Sequence, residues 1–211
     1  LLWEPNEYIN IMVYPFTDSQ ILGISTFPYS LKDFFLEGTQ QVSASWITLE
    51  NLSFPYCISI NSSYIYEQST DERINQNDAA ITLAHELGHY LGLRHVFSEG
   101  GTTSMCTDTD YCKDTPSYNR SEYEQWLNNL DKQNKYQLKD LAKRYSCEKG
   151  EYEAHNIMDY AYCFYNEITL EQRKRIRHIL NYSPLIPGPK ESRIDTRGVQ
   201  GRLNLPICIM K

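Results

Sequence analysis

The sequence predicts an α+β fold, with short strands in the first part of the 211-residue chain and helices in the rest. Two observations support this prediction. Alternating residues, or short apolar runs beside a proline, predict strands within residues 7–14, 21–27, 42–49 and 56–60. Apolar residues at helical spacing predict helices at 79–91, at about 134–146, and from Thr169 to about Leu180.

The first predicted strand has Ile9, Ile11 and Val13 on one side and ends at Pro15. Residues 30–36 are ambiguous, because the segment begins like a helix but is short. The strands at 42–49 and 56–60 follow, and the polar residues 67–77 are expected to form a loop.

The helices carry clear start signals. Asp78 is a candidate N-cap for the helix at 79–91, since its carboxylate can accept from the first free backbone N–H groups. Thr169 and Gln172 form a capping-box pattern at the start of the last helix. Arg175 and the other basic residues of that helix are interpreted as a solvated face. Residues 182–211 contain four prolines and are interpreted as a tail.

One segment carries a metal-binding pattern. Residues 85–95 read His-Glu-Leu-Gly-His-Tyr-Leu-Gly-Leu-Arg-His. Because residues four apart share one face of a helix, His85 and His89 can bind the same metal ion. Gly92 tolerates the left-handed backbone that ends a helix, which lets the chain turn and present His95. Glu86 is placed to act on a water held by the metal.

Three histidine ligands leave one position of tetrahedral zinc open, as in catalytic sites, whereas structural zinc is usually closed by four ligands. Zinc in such a site lowers the pKa of bound water to about 7. The alternative is an amphipathic core helix with two buried histidines. The glycine and the third histidine at fixed offsets disfavour it, because they reduce chance matches by about three orders of magnitude.

The segment 85–95 resembles the zinc motif of the metzincin endopeptidases. The resemblance extends to Asn156-Ile157-Met158-Asp159-Tyr160, which is similar to the Met-turn that metzincins carry beneath the zinc. The Met-Asp-Tyr form resembles the pappalysin branch. Residues 22–28 (Leu-Gly-Ile-Ser-Thr-Phe-Pro) and 110–116 (Asp-Tyr-Cys-Lys-Asp-Thr-Pro) do so as well.

This resemblance implies a single metalloprotease catalytic domain over residues 1–211. A metzincin-like upper subdomain, residues 1–92, would hold a twisted mixed β-sheet and the zinc-binding helix. A smaller irregular lower subdomain, residues 93–181, would hold the Met-turn and a C-terminal helix, with residues 182–211 as a tail. Met158 would form the floor beneath the zinc. Tyr160 would either help to stabilise the oxyanion or pack below the site, and both roles stay open.

Six cysteines without a C-x-x-C pair favour an oxidised, extracytoplasmic protein that is secreted, periplasmic or anchored at the cell surface. Four cysteines allow three pairings. By resemblance to pappalysins, we expect the disulfides Cys106–Cys147 and Cys112–Cys163. The two remaining cysteines, Cys57 and Cys208, either pair with each other or stay free.

The loop at 98–119 is rich in glycine, threonine, serine and aspartate. Asp110 and Thr115 are candidate calcium ligands, because calcium takes several oxygen ligands and some pappalysins bind it in the corresponding loop. The alternative is a turn-rich loop with solvated aspartates, since the spacing is not that of an EF-hand.

The composition limits the partners. A formal net charge of −7 provides no basic field for phosphates, which argues against a nucleic-acid partner. An apolar run near 18 residues is absent from the sequence, so we expect no transmembrane segment. A removed signal peptide, propeptide or lipid anchor stays open because the sequence starts at Leu1. We expect a monomer that acts on protein or peptide substrates.

The sequence therefore predicts a zinc-dependent endopeptidase. Glu86 would act as general base on the attacking water and then as acid toward the leaving amine. Two alternatives belong to other classes. One is a catalytically silent zinc-binding recognition or adhesion module of an extracellular protein. The other is a hydrolase that acts on a non-peptide amide.

Overall fold

The computed structural model describes residues 2–47, 56–66, 78–97, 109–133, 137–146, 148–160, 162–188, 190 and 207–210. Its strands are β1 (Ile11–Tyr14), β2 (Gly23–Thr26), β3 (Tyr29–Leu31), β4 (Gln40–Val42), β5 (Ile58–Asn61), β6 (Lys143–Ser146), β7 (Gly150–Glu153) and β8 (Ile207–Met210). Its α-helices are α1 (Ala79–Tyr90), α2 (Arg120–Gln133), α3 (Leu138–Leu141) and α4 (Leu170–Tyr182).

The main sheet has the strand order β1-β5-β2-β8. β1 runs parallel to β5, whereas β2 runs antiparallel to both β5 and β8. Strands β3 and β4 form a small parallel pair, and β6 and β7 form an antiparallel pair. The predicted α+β class and the mixed sheet are therefore confirmed.

The main core lies between this sheet, α1 and α4. Ile58 and Ile60 of β5, Tyr90 of α1 and Ile179 of α4 are at most 3% exposed and belong to one cluster. Burying an aliphatic or aromatic side chain of this size contributes about 1.5–3 kcal/mol, so the core fixes α1 against the sheet.

A second buried cluster forms around the chain that leaves α1. It contains Leu93 and Phe97 after the helix, Tyr118 before α2, and Met158 and Tyr160 further along the chain. Residues distant in sequence therefore meet at one place, next to the end of α1.

Several predicted elements are confirmed. The strands expected within 21–27 and 56–60 are β2 and β5, and the helices expected at 79–91 and from Thr169 are α1 and α4. The capping box is also present: Thr169 Oγ1 accepts from Gln172 N–H at 3.3 Å, and Gln172 Oε1 accepts from Thr169 N–H at 3.0 Å. The expected loop at 67–77 lies outside the described residues.

The predicted helix at 134–146 is wrong over most of its described part. Only Leu138–Leu141 is helical, and residues 143–146 form β6. Pairing with β7 supplies main-chain partners that helical spacing alone does not reveal. The strand expected at 42–49 is also wrong: β4 ends at Val42, and Ala44–Trp46 form a 3₁₀ turn.

Two further expectations change in detail. The ambiguous segment at 30–36 contains the end of β3 and a 3₁₀ turn at Lys32–Phe34. The first strand is confined to β1, and all four of its side chains are exposed, so its alternation marks no buried face.

Within the part of the chain that the structure describes, no helix is long and apolar enough to cross a membrane.

Candidate metal centre

The metal-binding pattern lies on α1, and a local cap fixes where the helix begins. Asp78 Oδ1 accepts from the backbone N–H groups of Ala80 at 2.7 Å and Ile81 at 3.2 Å. The predicted N-cap is therefore confirmed. With this start, the inward face of α1 carries His85, Glu86 and His89, and all three are buried.

The chain leaves α1 through a left-handed turn. Gly92 has φ +87°, its N–H donates to His89 O, and Leu93 N–H donates to Gly88 O. These two bonds form a Schellman motif, which ends a helix where glycine supplies the left-handed residue. The turn brings His95 back toward the face that carries the first two histidines.

The three histidine side chains converge. His89 Nε2 lies 3.1 Å from His85 Nε2 and 3.0 Å from His95 Nε2. His85 Nδ1 lies 2.7 Å from Ile157 O, and His89 Nδ1 lies 2.8 Å from Leu93 O. A ring nitrogen this close to a carbonyl oxygen carries the proton and donates, so the Nε2 lone pairs of both rings face the centre of the cluster.

This arrangement fits a tetrahedral metal ion. Zinc–nitrogen bonds of about 2.0–2.1 Å place tetrahedral ligand nitrogens about 3.3 Å apart, close to the separations seen here. Lone pairs that face one another repel unless a cation lies between them. Among the described residues, His85, His89 and His95 are the one group of histidine, cysteine or acidic side chains close enough to hold a metal ion.

The electrostatics keep His89 and His95 in the ligating form. Burial lowers the pKa of His89 well below its ordinary value, and the neighbouring His95 and His85 lower it further. Burial also lowers the pKa of His95, with smaller contributions from His85 and Arg120. Neutral imidazole is the form that binds a metal.

Glu86 is a buried acid beside the cluster. Its side chain is fully buried, and neither carboxylate oxygen has a hydrogen-bond partner among the described residues. Burial raises the pKa of Glu86 well above the usual range of a glutamate. A buried carboxylate without a partner is costly, which indicates that a group bound at this site completes its hydrogen bonding.

A buried methionine packs against α1 at Gly88, between the two helical histidines in sequence. Met158 is fully buried, and its sulfur lies where a Cβ on Gly88 would be. A tight turn holds it: Asp159 N–H donates to Asn156 O at 3.1 Å, and Met158 N–H donates to Asn156 Oδ1 at 3.0 Å.

The aromatic ring of Tyr160 lies against the cluster. Its centroid is 4.4 Å from that of His95 and 5.6 Å from that of His85. The Arg120 guanidinium lies over the Tyr160 ring, 4.5 Å from its centroid, and is 5.2 Å from the centroid of Phe97. Tyr160 is thus part of the wall around the histidines.

A buried ion pair anchors the chain that carries Tyr160. Arg144 Nε lies 3.3 Å from Asp159 Oδ2, and both side chains are almost fully buried. Arg144 Nη2 donates to Tyr160 O at 3.1 Å, while Tyr160 N–H donates to Asp159 Oδ1 at 2.7 Å. Tyr118 OH donates to the same Oδ1 at 2.5 Å. Residue 160 is therefore held by its backbone from both sides.

The expected Cys112–Cys163 disulfide is not formed: both residues are buried free thiols. Cys163 Sγ instead donates to Asn156 O at 3.3 Å and accepts from Tyr165 N–H at 3.4 Å, so it is engaged locally. Cys57 is also a buried free thiol. The second expected disulfide, Cys106–Cys147, lies outside the described residues.

The candidate calcium ligands form a closed turn. Asp110 Oδ1 accepts from Cys112 N–H at 2.9 Å, and its Oδ2 accepts from Thr115 Oγ1 at 2.6 Å. Both carboxylate oxygens are therefore satisfied by protein donors, and the described part of this loop gives no support for calcium. The rest of the loop, residues 98–108, lies outside the described residues.

Sequence reasoning missed three charged residues of this region. Arg144 was assigned to the helix predicted at about 134–146, and Arg120 received no role. Asp159 belongs to the quoted turn but received no role. Asp159 itself was the signal that could have indicated Arg144. A carboxylate buried next to the Met158 turn requires a cationic partner.

Comparison with known proteins agrees with this geometry. A profile of the peptidase M43 family, described as pregnancy-associated plasma protein-A, matches residues 38–181. The chain is similar to an extracellular metalloprotease of Arthroderma otae, with 32% identity over 171 residues, 80% of this chain and 49% of that protein. It is also similar to one of Arthroderma benhamiae, with 37% identity over 108 residues, 50% of this chain and 32% of that protein.

Among solved structures, mature mirolysin of Tannerella forsythia in complex with a cleaved peptide is similar over 83% of this chain and 53% of that chain. The identity is 21% and the TM-score is 0.46. The chain spans about half the length of these proteins, or less. Since the profile covers more than half of the chain and includes the whole histidine cluster, the chain belongs to the peptidase M43 family of metallopeptidases, the pappalysin branch of the metzincins.

Proposed function

We propose that this chain is the catalytic part of a zinc-dependent endopeptidase that acts outside the cytoplasm. The observation that carries the proposal is the convergence of three histidine Nε2 atoms beside the buried carboxylate of Glu86. The names of the similar Arthroderma proteins support the extracellular setting and the class of reaction.

His85, His89 and His95 would hold the metal. The Nδ1 contacts of His85 and His89 to backbone carbonyls orient both rings and increase their basicity as ligands. When bound, zinc supplies Lewis-acid chemistry: it polarises a carbonyl and lowers the pKa of a coordinated water to about 7.

Glu86 would take a proton from the attacking water and pass it to the leaving amine. General acid–base catalysis requires a group whose pKa is near the working pH, and burial moves the pKa of Glu86 in that direction. A catalytically silent binding module does not require a buried carboxylate next to the metal ligands. The burial of Glu86 therefore disfavours the binding-module alternative.

Met158 and Tyr160 would have different roles. Met158 would give an apolar floor, because its buried sulfur packs against Gly88 between the two helical histidines. Tyr160 lies within reach of the cluster, and we assign it the stabilisation of negative charge on the substrate carbonyl oxygen. The hydrogen bonds of the Tyr160 backbone to Asp159 and Arg144 fix the position of the Cα atom from which the side chain extends.

A peptide library incubated with the purified protein tests the proposal. We expect cuts, mapped by mass spectrometry, that disappear with a zinc chelator and return when zinc is added. Cuts that persist after complete removal of metal would overturn the zinc mechanism. A protein that binds one zinc per chain but cuts no peptide would support the binding-module alternative instead.

A further inference from the structure

The edge of β2 beside Glu86 is occupied by a segment of the same chain. We propose that residues 207–210 act as an internal pseudosubstrate strand, which an extended peptide must displace before it can be cut. The proposal rests on the proposed peptidase function. The substrate class that the same edge would take is an extended peptide that pairs through its main chain.

The hydrogen-bonding pattern of β2 shows which groups β8 covers. Thr26 N–H donates to Cys57 O and Asn61 N–H donates to Leu22 O. Because alternate residues of a strand direct their backbone groups to opposite sides, residues 22, 24 and 26 face β5, whereas Gly23 and Ser25 face the other edge.

Strand β8 pairs with that other edge in a defined register. Gly23 lies opposite Met210 and Ser25 lies opposite Cys208. These are the two pairs in which the backbone groups of β2 face β8, so they are the hydrogen-bonded pairs of the antiparallel ladder. An incoming peptide that adds a strand to β2 needs the same backbone groups of Gly23 and Ser25.

The covered edge lies at the reactive acid. A Cβ built on Gly23 would be 2.6 Å from Glu86 Cγ and 2.9 Å from Glu86 Oε1. The Gly23–Met210 pair is therefore next to the carboxylate, and Cα atoms of β8 lie within 8 Å of Cα atoms of α1. A peptide that paired with the same edge of β2 would have to take the place of β8 next to Glu86.

The sequence of the segment suits this role. Residues 207–210 read Ile-Cys-Ile-Met, which are uncharged and include two β-branched residues that favour extended backbone. Strand addition takes its affinity from the main chain, so peptides of similar extended character can compete for the edge.

Two proline variants of the whole chain separate this role from a general effect on the tail. Met210→Pro removes an N–H that faces β2, whereas Ile209→Pro removes one that faces away from it. Met210→Pro removes one of the hydrogen bonds by which β8 competes with the substrate for the edge of β2. We therefore expect the apparent KM for an apolar peptide to fall about 2- to 10-fold, while kcat stays unchanged. Ile209→Pro should resemble the wild type. Equal KM values in all three proteins, or a lower kcat in Met210→Pro, would overturn the proposal.

Amide hydrogen exchange provides a readout that does not need activity. The amides of Gly23 and Ser25 should be protected in the wild type and in Ile209→Pro, and should exchange faster in Met210→Pro. A synthetic peptide of residues 204–211 should restore their protection in Met210→Pro. If neither the wild type nor either variant hydrolyses any peptide but this exchange pattern is found, the proposed peptidase function is wrong, whereas the pairing of β8 with the edge of β2 is supported. Unprotected Gly23 and Ser25 amides in the wild type would refute the pseudosubstrate strand itself.

Discussion

Gly23 and Glu86 approach so closely that the side chain of the acid fills the space a β-carbon would take at position 23. The two nearest separations from such a carbon are 2.6 Å to Glu86 Cγ and 2.9 Å to Oε1. Gly23 lies in the extended strand β2, so glycine is needed there for room and not for an unusual backbone conformation. The position of the carboxylate is therefore set partly by the absence of a side chain on the neighbouring strand.

The first prediction concerns this contact. Gly23→Ala should push the Glu86 carboxylate away from the histidines while all three metal ligands stay in place. We expect zinc content to remain at one per chain and kcat to fall by about 10²-fold, since small misplacements of a catalytic group have effects of this size. Zinc content and kcat are measured on the same preparation. Full activity with an alanine at this position would contradict the proposed role of the carboxylate.

The second prediction concerns the acid itself. Glu86→Gln keeps the shape of the side chain but removes the proton acceptor, so kcat should fall by about 10²- to 10⁴-fold while zinc stays bound. Glu7→Gln is a matched control, because Glu7 is exposed and distant from the cluster in sequence. Comparable turnover in the two variants would exclude Glu86 as the general base.

The third prediction concerns removal of the metal. If free zinc exceeds the dissociation constant about 1,000-fold, its binding stabilises the fold by about 4 kcal/mol. For a chain of this size, chelation should then lower the melting temperature by about 8–16 °C, at roughly 2–4 °C per kcal/mol. His95→Asn should abolish the dependence on chelator, whereas His155→Asn, which changes a histidine outside the cluster, should preserve it. The same shift in both variants would place the metal elsewhere.

The fourth prediction concerns the floor of the site. Gly88→Ala would normally stabilise a helix by about 1 kcal/mol, but here the new methyl group collides with the sulfur of Met158. We expect a net loss in the free energy of unfolding. Met158→Ala alone should cost about 2–5 kcal/mol because it leaves a cavity. The double variant should lose less than the sum of the two, as measured by denaturant unfolding. Strict additivity would mean that the two side chains do not share this space.

The fifth prediction concerns the buried ion pair. Arg144→Met leaves Asp159 buried without its cation and should cost about 3–5 kcal/mol in the free energy of unfolding. The neighbouring Lys143 pairs with Glu151 at 3.6 Å on the surface, so Lys143→Met should change stability by less than about 1 kcal/mol. Restoring neutrality with Arg144→Met and Asp159→Asn together should recover part of the loss. Equal costs for Arg144→Met and Lys143→Met would contradict the importance of burial here.

The sequence was most informative where the chemistry requires particular residues at fixed spacing. His85 and His89 share a helical face for geometric reasons, and Gly92 is needed because the turn has positive φ. The Asp78 cap and the capping box at Thr169 depend on contacts within one turn of a helix. Local rules are sufficient for such features.

The sequence was least informative where partners are distant along the chain. The helix predicted at about 134–146 rested on the spacing of Leu138, Leu141, Ala142 and Tyr145. Residues 143–146 nevertheless pair with β7, and Arg144 buries its charge against Asp159. Strand β8 joins β2 across more than 180 residues of chain. The expected Cys112–Cys163 disulfide rested on resemblance alone; in the structure both residues are free thiols, and the Cys163 sulfur makes local hydrogen bonds.

Arg175 was interpreted as part of a solvated face, but it is buried and its guanidinium joins three remote stretches of the chain. Its Nη2 donates to Gly92 O at 3.2 Å and to Glu37 O at 3.0 Å, so α4 holds the turn from which the third histidine departs. The three ligands therefore depend on different parts of the fold: His85 and His89 lie on one helix, whereas the turn that presents His95 is held by α4. Because binding of a metal requires all three histidines in place, its free energy is linked to the docking of a helix that contributes no ligand of its own.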